Sequence, residues 1–556
     1  MEQPGADLIF FGGEIVTMEK DCPTVEAVAV KGKKIIAVGA KEDVLKLHQS
    51  SATELVDLRN RVLLPGFVAS HSHPFMTTQL RYFTDISGFT HFTAEQVFET
   101  MQRVAQNTSN EDDWVVFYGY DQCLLPNLPE LTSSYLDANV SAVNPVVVIS
   151  MDIDNAWFNH KALENAGINE SNVPDLGPGR IFSIDASGKL SGRLRDPPMF
   201  FLLKIIHPHP SVEEKRRLFR EHFKEFASRG FTTVVDLGSN DEDTIKLGLE
   251  VASENECPVR LCRYAVSSLA TASDEDSHSV PSCDDNLNLW VAGVKFWADG
   301  EPHSGTMAVK EKYLETDVTA KFFGNGFGQL NYDSDDLCKK MEKFHRNGWQ
   351  ISTHTQGDHA IEQVLEIYES LLSKWPRQDH RYRLEHVGLI TPDQLDKVSK
   401  LGITPSFLVD ELFYYGKILK EKIIGKERAE KLVPLASAKA KQICFSIHED
   451  CPLFPLTHEP FRSMKTAVTR QTRDEDGGEV LGGHFGISIQ DSLEAYTINA
   501  AWQIFCEHSI GSLKVGKLAD LVILSRNPLK VPAEHLESIE IVATYINGIA
   551  THTLSQ

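Results

Sequence analysis

The stretch that decides the fold is RVLLPGFVASHSHP, residues 61–74, in which an apolar run ends in His71, Ser72 and His73. Side chains alternate across a β-strand, so histidines at positions i and i+2 point to the same side. Both can bind one metal ion if the strand end faces the mouth of a barrel. A chain with 21 histidines also contains such pairs by chance. The motif alone leaves a metal site and two ordinary structural histidines equally open.

Strands alternate with helical stretches after this motif, a pattern that favours a parallel sheet or barrel. One helix is well defined, because Ser211 and Glu214 form an S-x-x-E capping box and Gly230 follows the apolar face that they introduce. It leads straight into the strand FTTVVDLG. The eight strands predicted for an α/β fold of the TIM-type (β/α)8 barrel class are residues 61–70, 232–236, 259–264, 289–298, 350–355, 381–385, 403–407 and 442–448.

The two ends of the chain are both rich in short β segments, so they are predicted to form one small composite β-sandwich domain from residues 1–64 and 512–556. The barrel then takes residues 65–79 and 210–511. Residues 80–209 interrupt its first two strands, and this stretch is too long for a simple βα connection. We therefore expect an inserted α/β subdomain there.

Composition limits the class of partner. The formal net charge of -23 disfavours nucleic acid and anionic membranes, since both need a basic face. No apolar run approaches the roughly 20 residues that span a membrane. The N-terminus lacks a basic segment followed by a long apolar one, so a cytoplasmic location is expected. The expected partner is a small-molecule substrate, and a homodimer is left open.

Lys295 lies in the middle of the apolar stretch LWVAGVKFWADG, residues 289–300. Removing its ammonium group from water would cost several kcal/mol. Carbamylation by carbon dioxide would turn that group into a carboxylate able to bridge two cations. Alternatively, the side chain reaches out of the strand end or pairs with Asp299. The sequence leaves these interpretations open.

Further candidate ligands stand at the ends of later predicted strands. His354 follows the strand in GWQISTHTQGDHAI, and His386 follows the one in RYRLEHVGLI. The segment QICFSIHEDCPLFPL places Asp450 after the eighth strand. Each residue alone is ordinary, but catalytic groups converge at the carboxyl ends of barrel strands. Imidazole and carboxylate ligands also suit zinc-like cations, which lower the pKa of bound water.

This order of motifs resembles the amidohydrolase superfamily. The resemblance is to the family 3 branch, which includes N-substituted formamide deformylase, and it extends from about residue 8 to residue 551. The C-terminal piece G-x-L-x-x-G-K-x-A-D-L, residues 511–521, is among its more specific signatures. The other segments that carry the resemblance are GVKFWADG, RLEHVGLI, HEDCPLFPL, KTAVTRQTR and EAYTINAAWQIF.

The resemblance implies a site with one or two divalent cations, zinc being the expected metal. His71 and His73 would bind the more buried ion, and carbamylated Lys295 would bridge to a second ion. His354 and His386 would hold that second ion. Asp450 would be both a ligand of the first ion and the catalytic residue that carries a proton to the leaving nitrogen, whose protonation amide cleavage requires.

The implied enzyme hydrolyses a carbon–nitrogen bond, of the amide or N-formyl-like kind, in a small molecule through a metal-activated hydroxide. Two alternatives stay open at this point. Related barrels hydrolyse cyclic amides or deaminate their substrates with similar ligands. A barrel that has lost its chemistry can serve as an interaction protein, although the ligand set here is complete.

The substrate pocket departs from the family pattern. The loop DGEPHSGT, residues 299–306, has larger polar residues where relatives carry small ones, and Asp154 stands near a position where relatives often have histidine. Arg470 is either a substrate contact or part of a surface ion pair. The side chains predicted to bind substrate are Trp297, Asp299, Glu301, His303, His448 and Arg470.

Overall fold

The chain forms three sheets, two of eight strands and one of six. The computed structural model describes residues 5–153, 155–176, 181–195, 197, 199–239, 241–268, 288–322, 324–473 and 477–554. Within these residues, none of the helices is long and apolar enough to cross a membrane.

Strands from both ends of the chain share the first sheet, as predicted. Its order is β22-β21-β20-β5-β1-β2-β3, and β4 pairs with β1. Apolar side chains of these strands, among them Phe10, Val28, Leu63 and Leu521, meet in one buried cluster. The strands are β1 (Leu8–Val16), β2 (Thr24–Lys31), β3 (Lys34–Gly39), β4 (Glu54–Asp57), β5 (Val62–Pro65), β20 (Leu521–Leu524), β21 (Ile541–Ile546) and β22 (Ile549–Thr553).

Eight parallel strands form a barrel, which confirms the predicted TIM-type class. The first and last strands meet where the Ser70 hydroxyl donates to the Ile447 carbonyl oxygen (3.3 Å) and the His73 N–H to that of Cys451 (3.0 Å). The strands are β6 (Phe67–Ser72), β13 (Phe231–Asp236), β14 (Arg260–Val266), β15 (Leu289–Trp297), β16 (Gln350–Thr355), β17 (Arg383–His386), β18 (Thr404–Leu408) and β19 (Ser446–His448).

The predicted first strand, residues 61–70, is in fact two strands in two sheets. β5 pairs with β20 of the terminal sheet, whereas β6 pairs with β13 of the barrel. The chain changes sheet at Gly66, where a Cβ would lie 2.3 Å from the Thr232 side chain. A residue without a side chain therefore lets the backbone pass between the two sheets.

Helices surround the barrel. The predicted helix is confirmed over Val212–Ser228, with a Ser211–Glu214 capping box and with Phe219, Phe223 and Phe226 buried. Other α-helices in the described residues are Lys41–His48, Pro74–Leu80, Glu242–Ala252, Thr319–Phe322, Ser334–Arg346, Asp358–Lys374, Pro392–Leu401, Asp410–Ile418, Lys426–Ala429, Leu435–Ala440, Pro460–Thr469, Ile489–Tyr496 and Ile498–Gln503. A π-helix spans Leu419–Ile423, and 3-10 helices span Gly483–Phe485, Pro528–Lys530 and Ala533–Ser538.

The stretch between β6 and β13 carries the third sheet, of order β11-β12-β10-β9-β8-β7. The Tyr118 hydroxyl of this sheet donates to the Pro452 carbonyl oxygen (2.9 Å), so the sheet braces the loop that follows Asp450. The exact domain bounds stay predictions. The strands are β7 (Thr84–Asp85), β8 (Val115–Tyr120), β9 (Val146–Ser150), β10 (Asn155–Phe158), β11 (Phe182–Ile184) and β12 (Leu190–Arg195), and the helices are Ala94–Asn107, Ser133–Asn139, His160–Asn165 and Met199–Ile205.

Candidate metal centre

Four buried side chains converge at the carboxyl end of the barrel. His71, His386, His448 and Asp450 each place one possible ligand atom within 4.8 Å of the others, and we call them the mouth group. They come from β6, β17, β19 and the turn after β19. Parallel strands end at one edge of a barrel, which is why residues so distant in sequence meet. The rings of His71 and His448 stack, with centroids 4.3 Å apart.

The protonation of His71 is set by a neighbouring carboxylate. Its Nδ1 lies 2.8 Å from Glu385 Oε2. An ionised carboxylate only accepts hydrogen bonds, so Nδ1 carries the proton. Burial, the largest influence, lowers the pKa of His71, which favours the neutral imidazole. The lone pair on Nε2 then faces Asp450 Oδ1 at 3.1 Å, and two acceptors this close require a cation or a proton between them.

His73 repeats this arrangement from the other side. Its Nδ1 lies 3.2 Å from the carbonyl oxygen of Gly238, which can only accept a hydrogen bond. Its Nε2 therefore faces Asp450 Oδ1, 3.3 Å away. Gly238 has a φ of +108° and a Cβ there would lie 2.7 Å from the Trp297 ring, so glycine is needed at this turn. Both members of the H-x-H pair thus aim at one carboxylate oxygen.

Glu385 was not among the site residues predicted from the sequence. Its carboxylate is held from two sides. Arg383 donates to both of its oxygens, from Nε at 2.7 Å and from Nη2 at 3.0 Å, and the Ser352 hydroxyl donates to Oε1 at 2.6 Å. A carboxylate that fixes the ring of a ligating histidine is a common feature of metal sites. The signal available in the sequence was RLEH, where two opposite charges stand at i and i+2 on a buried strand.

Two members of the mouth group have a backbone conformation that is uncommon for residues other than glycine. His386 has a φ of +71° and Asp450 a φ of +53°. Conformations of this kind cost on the order of 1–3 kcal/mol each for residues other than glycine, and they are concentrated at functional sites. The fold thus holds His386 and Asp450 in place against the backbone preference of these residues.

A second group lies beside the first and shares His386 with it. Glu301, His354 and His386 place ligand atoms within 4.8 Å of one another, and we call them the Glu301 group. His354 Nε2 lies 3.9 Å from Glu301 Oε1. Burial lowers the pKa of His354 to about 3, which leaves a neutral imidazole with a lone pair for a cation.

Lys295 lies fully buried on β15. Its Nζ makes no hydrogen bond to any residue that the structure describes, and it lies 5.4 Å from the centre of the Trp297 ring. Burial lowers the pKa of Lys295 to about 8. A buried amine with a lowered pKa is a suitable acceptor of carbon dioxide, but the carbamylation stays a prediction.

Two of the predicted substrate contacts stand at the end of β15. Trp297 is half-buried. Asp299 is buried, and its carboxylate accepts backbone N–H groups of Ala308 (3.0 Å), Gln356 (3.0 Å) and Gly357 (2.9 Å). Burial raises the pKa of Asp299 to about 7 against the effect of these donors. Asp299 therefore ties the loop after β15 to the turn after β16.

The loop that follows turns further polar groups inward. Gln356 Nε2 donates to Glu301 Oε2 at 2.9 Å and lies 3.4 Å from Glu411 Oε1. Burial raises the pKa of Glu411 to about 8, and this residue was also missed in the sequence. The ring of His303 stacks on Tyr415 with centroids 4.5 Å apart. The buried side of this loop is thus more polar than that of a loop made of small residues would be.

Arg470 has a different environment from the other predicted substrate contacts. Its buried guanidinium donates to the carbonyl oxygens of Leu432, Val433 and Leu481. It holds two loops together rather than forming the surface ion pair considered from the sequence. Its contact with substrate stays a prediction. Asp154 lies outside the described residues.

The donor set fits a divalent cation. Several buried atoms make no hydrogen bond within the described ranges, and leaving such atoms unsatisfied is costly. Imidazole nitrogens and carboxylate oxygens are the ligands of zinc-like cations, which would satisfy them. The atoms are His71 Nε2, His386 Nδ1, both ring nitrogens of His448, both carboxylate oxygens of Asp450, His354 Nε2 and Glu301 Oε1.

Comparison with known proteins identifies several relatives of this chain. Protein LONG AFTER FAR-RED 3 of Arabidopsis thaliana is 28% identical over 98% of this chain and 91% of its own length. N-substituted formamide deformylase of Arthrobacter pascens is 23% identical over 98% of both chains. The structure of an uncharacterized metal-dependent hydrolase from Pyrococcus horikoshii shares the fold, with a TM-score of 0.72 at 21% identity over 95% of this chain and 99% of that one.

The family resemblance inferred from the sequence is confirmed by a match over most of the chain. Because the profile of the amidohydrolase family matches residues 54–552, this chain belongs to that family of hydrolases, which act on carbon–nitrogen bonds.

Proposed function

We propose that the protein hydrolyses an amide or N-formyl-like bond of a small molecule, with one or two divalent cations, most simply zinc, at the mouth of the barrel. The observation that carries this proposal is the facing of His71 Nε2 and His73 Nε2 towards Asp450 Oδ1, at 3.1 and 3.3 Å. Three acceptor atoms in one buried place are a cation site.

The residues divide between two cation positions. When bound there, a divalent cation polarises a carbonyl oxygen and acidifies water. Glu385 orients the ring of His71, and the Gly238 carbonyl orients that of His73. His448, stacked on His71, lines the first position. The proposed ligands are His71, His73 and Asp450 for the first cation, His354 and His386 for the second, and carbamylated Lys295 between them.

Asp450 is the proposed proton carrier. Its two oxygens lie towards different partners, Oδ1 towards His71 Nε2 and Oδ2 towards His386 Nδ1 at 3.8 Å. A carboxylate in this position can take a proton from water and give it to the departing nitrogen, without which amide cleavage stalls. Its strained backbone fixes the direction in which the carboxylate points.

The polar loop after β15 supports a substrate with hydrogen-bonding groups near the scissile bond. Glu301 and His303 are buried there, and both carry atoms that make no hydrogen bond within the described part of the chain. The likeness to a protein named N-substituted formamide deformylase supports an N-formyl amide as the first substrate to test. Trp297 and Arg470 are proposed as outer contacts only.

The test combines metal analysis with substrate profiling. Purified protein is expected to contain one or two equivalents of zinc and to hydrolyse at least one N-formyl or N-acyl amine. A panel that includes cyclic amides and aminated heterocycles separates this activity from cyclic-amide hydrolysis and deamination. Protein that binds no divalent metal and turns over no member of the panel would contradict the proposal and favour an interaction protein.

A further inference from the structure

We infer that Glu301 is a direct ligand of the second cation, so that Glu301, His354 and His386 hold this cation whether or not Lys295 is carbamylated. The inference rests on the proposed metal-dependent function. It assigns Glu301 a role different from the substrate contact that its place in the loop first indicates.

The geometry of the Glu301 group carries the inference. Glu301 Oε1 and His354 Nε2 are 3.9 Å apart, and the group as a whole lies within 4.8 Å. Zinc ligands at about 2.0–2.2 Å in a tetrahedral site lie roughly 3.3–3.6 Å from one another. A shift of less than about 1 Å in each side chain therefore brings these atoms to ligand spacing.

Glu301 Oε1 is available for a cation, because the rest of the residue is already held. Gln356 donates to Oε2, and the Glu301 N–H donates to the Thr306 hydroxyl at 3.0 Å. Gly300 makes this turn possible, since a Cβ there would lie 2.2 Å from Thr306 Oγ1. The loop thus presents one fixed carboxylate oxygen, and among the described residues that oxygen makes no hydrogen bond.

Asp299 is the obvious competitor and does not fit. Its Oδ1 lies 3.6 Å from His354 Nε2, slightly closer than Glu301 does. Both Asp299 oxygens, however, accept backbone N–H groups from Ala308, Gln356 and Gly357. A cation at Oδ1 would therefore share an oxygen that already accepts the Gln356 N–H. Glu301 offers a carboxylate oxygen at no such cost.

The experiment measures cation binding rather than catalysis. Metal-free protein is prepared and titrated with zinc against a competing chelator in carbon dioxide-free buffer, and the bound metal is counted. Wild type is compared with Glu301→Gln and with Glu411→Gln. Glu411 is a matched control, because it is also a buried glutamate that contacts Gln356 but does not belong to the Glu301 group.

We expect wild type to bind two cations and Glu301→Gln to bind the second at least about tenfold more weakly, since the loss of even an outer partner of a ligand costs that much. Glu411→Gln should bind it within about threefold of wild type, because Glu411 does not belong to the Glu301 group. Equal weakening in both variants, or none in Glu301→Gln, would overturn the inference.

Two outcomes separate this inference from the proposed function. If wild type binds only one cation in this buffer and a second appears on addition of bicarbonate, the carbamate is required and the inference fails, while the metal-dependent function stands. If wild type binds none under either condition, the proposed function itself fails. Should Glu301→Gln not fold, a crystal structure of zinc-loaded wild type decides, with Glu301 Oε1 expected at about 2.0–2.2 Å from the second ion.

Discussion

Arg260 and Asp450 are both fully buried charges of the barrel, yet their surroundings differ. Arg260 opens β14 at the amino end of the barrel and donates to both oxygens of Asp520, at 2.8 and 3.2 Å, as well as to Asn288 and Asn547. Asp450 follows β19 at the carboxyl end, and neither of its oxygens makes a hydrogen bond within the described residues.

The difference separates a structural charge from a functional one. The Arg260–Asp520 pair joins the barrel to the terminal sheet, and its partners compensate the cost of burial. Asp450 is surrounded by imidazole nitrogens, so a cation or a proton shared with them compensates its burial. We therefore expect changes at the amino end to alter stability and changes at the carboxyl end to alter cation binding and turnover, in line with the usual division of such barrels.

The largest effect is expected for Asp450→Asn. Turnover should fall by at least about 10³-fold, because the variant loses a cation ligand and the group that moves the proton. The metal-free variant should be as stable as wild type or more stable, since the Asn amide can donate to His71 Nε2, now faced by a carboxylate oxygen at 3.1 Å. Steady-state kinetics and urea unfolding measure the two quantities. Retained turnover would contradict the proton role.

Arg260→Met should have the opposite profile. It leaves Asp520 buried without its cationic partner, and the free energy of unfolding should fall by about 3–5 kcal/mol. The folded fraction should keep its zinc content and its turnover per molecule. Adding Asp520→Asn to this variant is the control, and it should recover part of the loss. If Arg260→Met loses zinc at unchanged stability, the division between the two ends is wrong.

Removing the metal should change the stability of variants at the two ends of the barrel by different amounts. Wild type at a free zinc concentration about 100 times the Kd should be roughly 3 kcal/mol more stable than chelated protein, because zinc binds only the folded state. Asp450→Asn should show a much smaller difference, whereas Arg260→Met should show the full one. Thermal unfolding with and without chelator measures this. An equal response of all three proteins would place the cation elsewhere.

Much of the fold could be predicted from the sequence, because the barrel strands are apolar and separated by helices. The predicted strand at residues 350–355 coincides with β16, and the others overlap their strands. The change of sheet at Gly66 could not be predicted. It depends on pairing with β20, which is far away in the sequence, and an apolar run looks the same in either sheet.

The candidate site was predicted less evenly. His71, His354 and Asp450 stand where strands end, so their convergence follows from the barrel. The residues that hold these side chains in place do not follow from the barrel. In the sequence RLEH, Glu385 resembles any other charged residue, and only the structure shows Arg383 and Ser352 beside it. The partners of Arg470 could not be predicted either, because these carbonyl groups belong to two loops whose positions no local pattern indicates.

The smallest effect is expected for a change at Ser352, which contacts the first cation's proposed ligands only through Glu385. Ser352→Ala removes the hydroxyl that donates to Glu385 Oε1 at 2.6 Å, while Arg383 still holds the carboxylate. We expect zinc affinity to fall by about tenfold or less, because Glu385 orients the His71 ring only indirectly.

Ser406→Ala is the matched control for this last change. Ser406 is also buried in the barrel, but its hydroxyl contacts Ser446 at 2.8 Å rather than Glu385. Its zinc affinity should equal that of wild type, although both variants lose buried hydrogen bonds, each worth about 1 kcal/mol of stability. Chelator competition measures affinity, and urea unfolding measures stability. Equal zinc affinities in the two variants would show that Glu385 needs only Arg383 to orient His71.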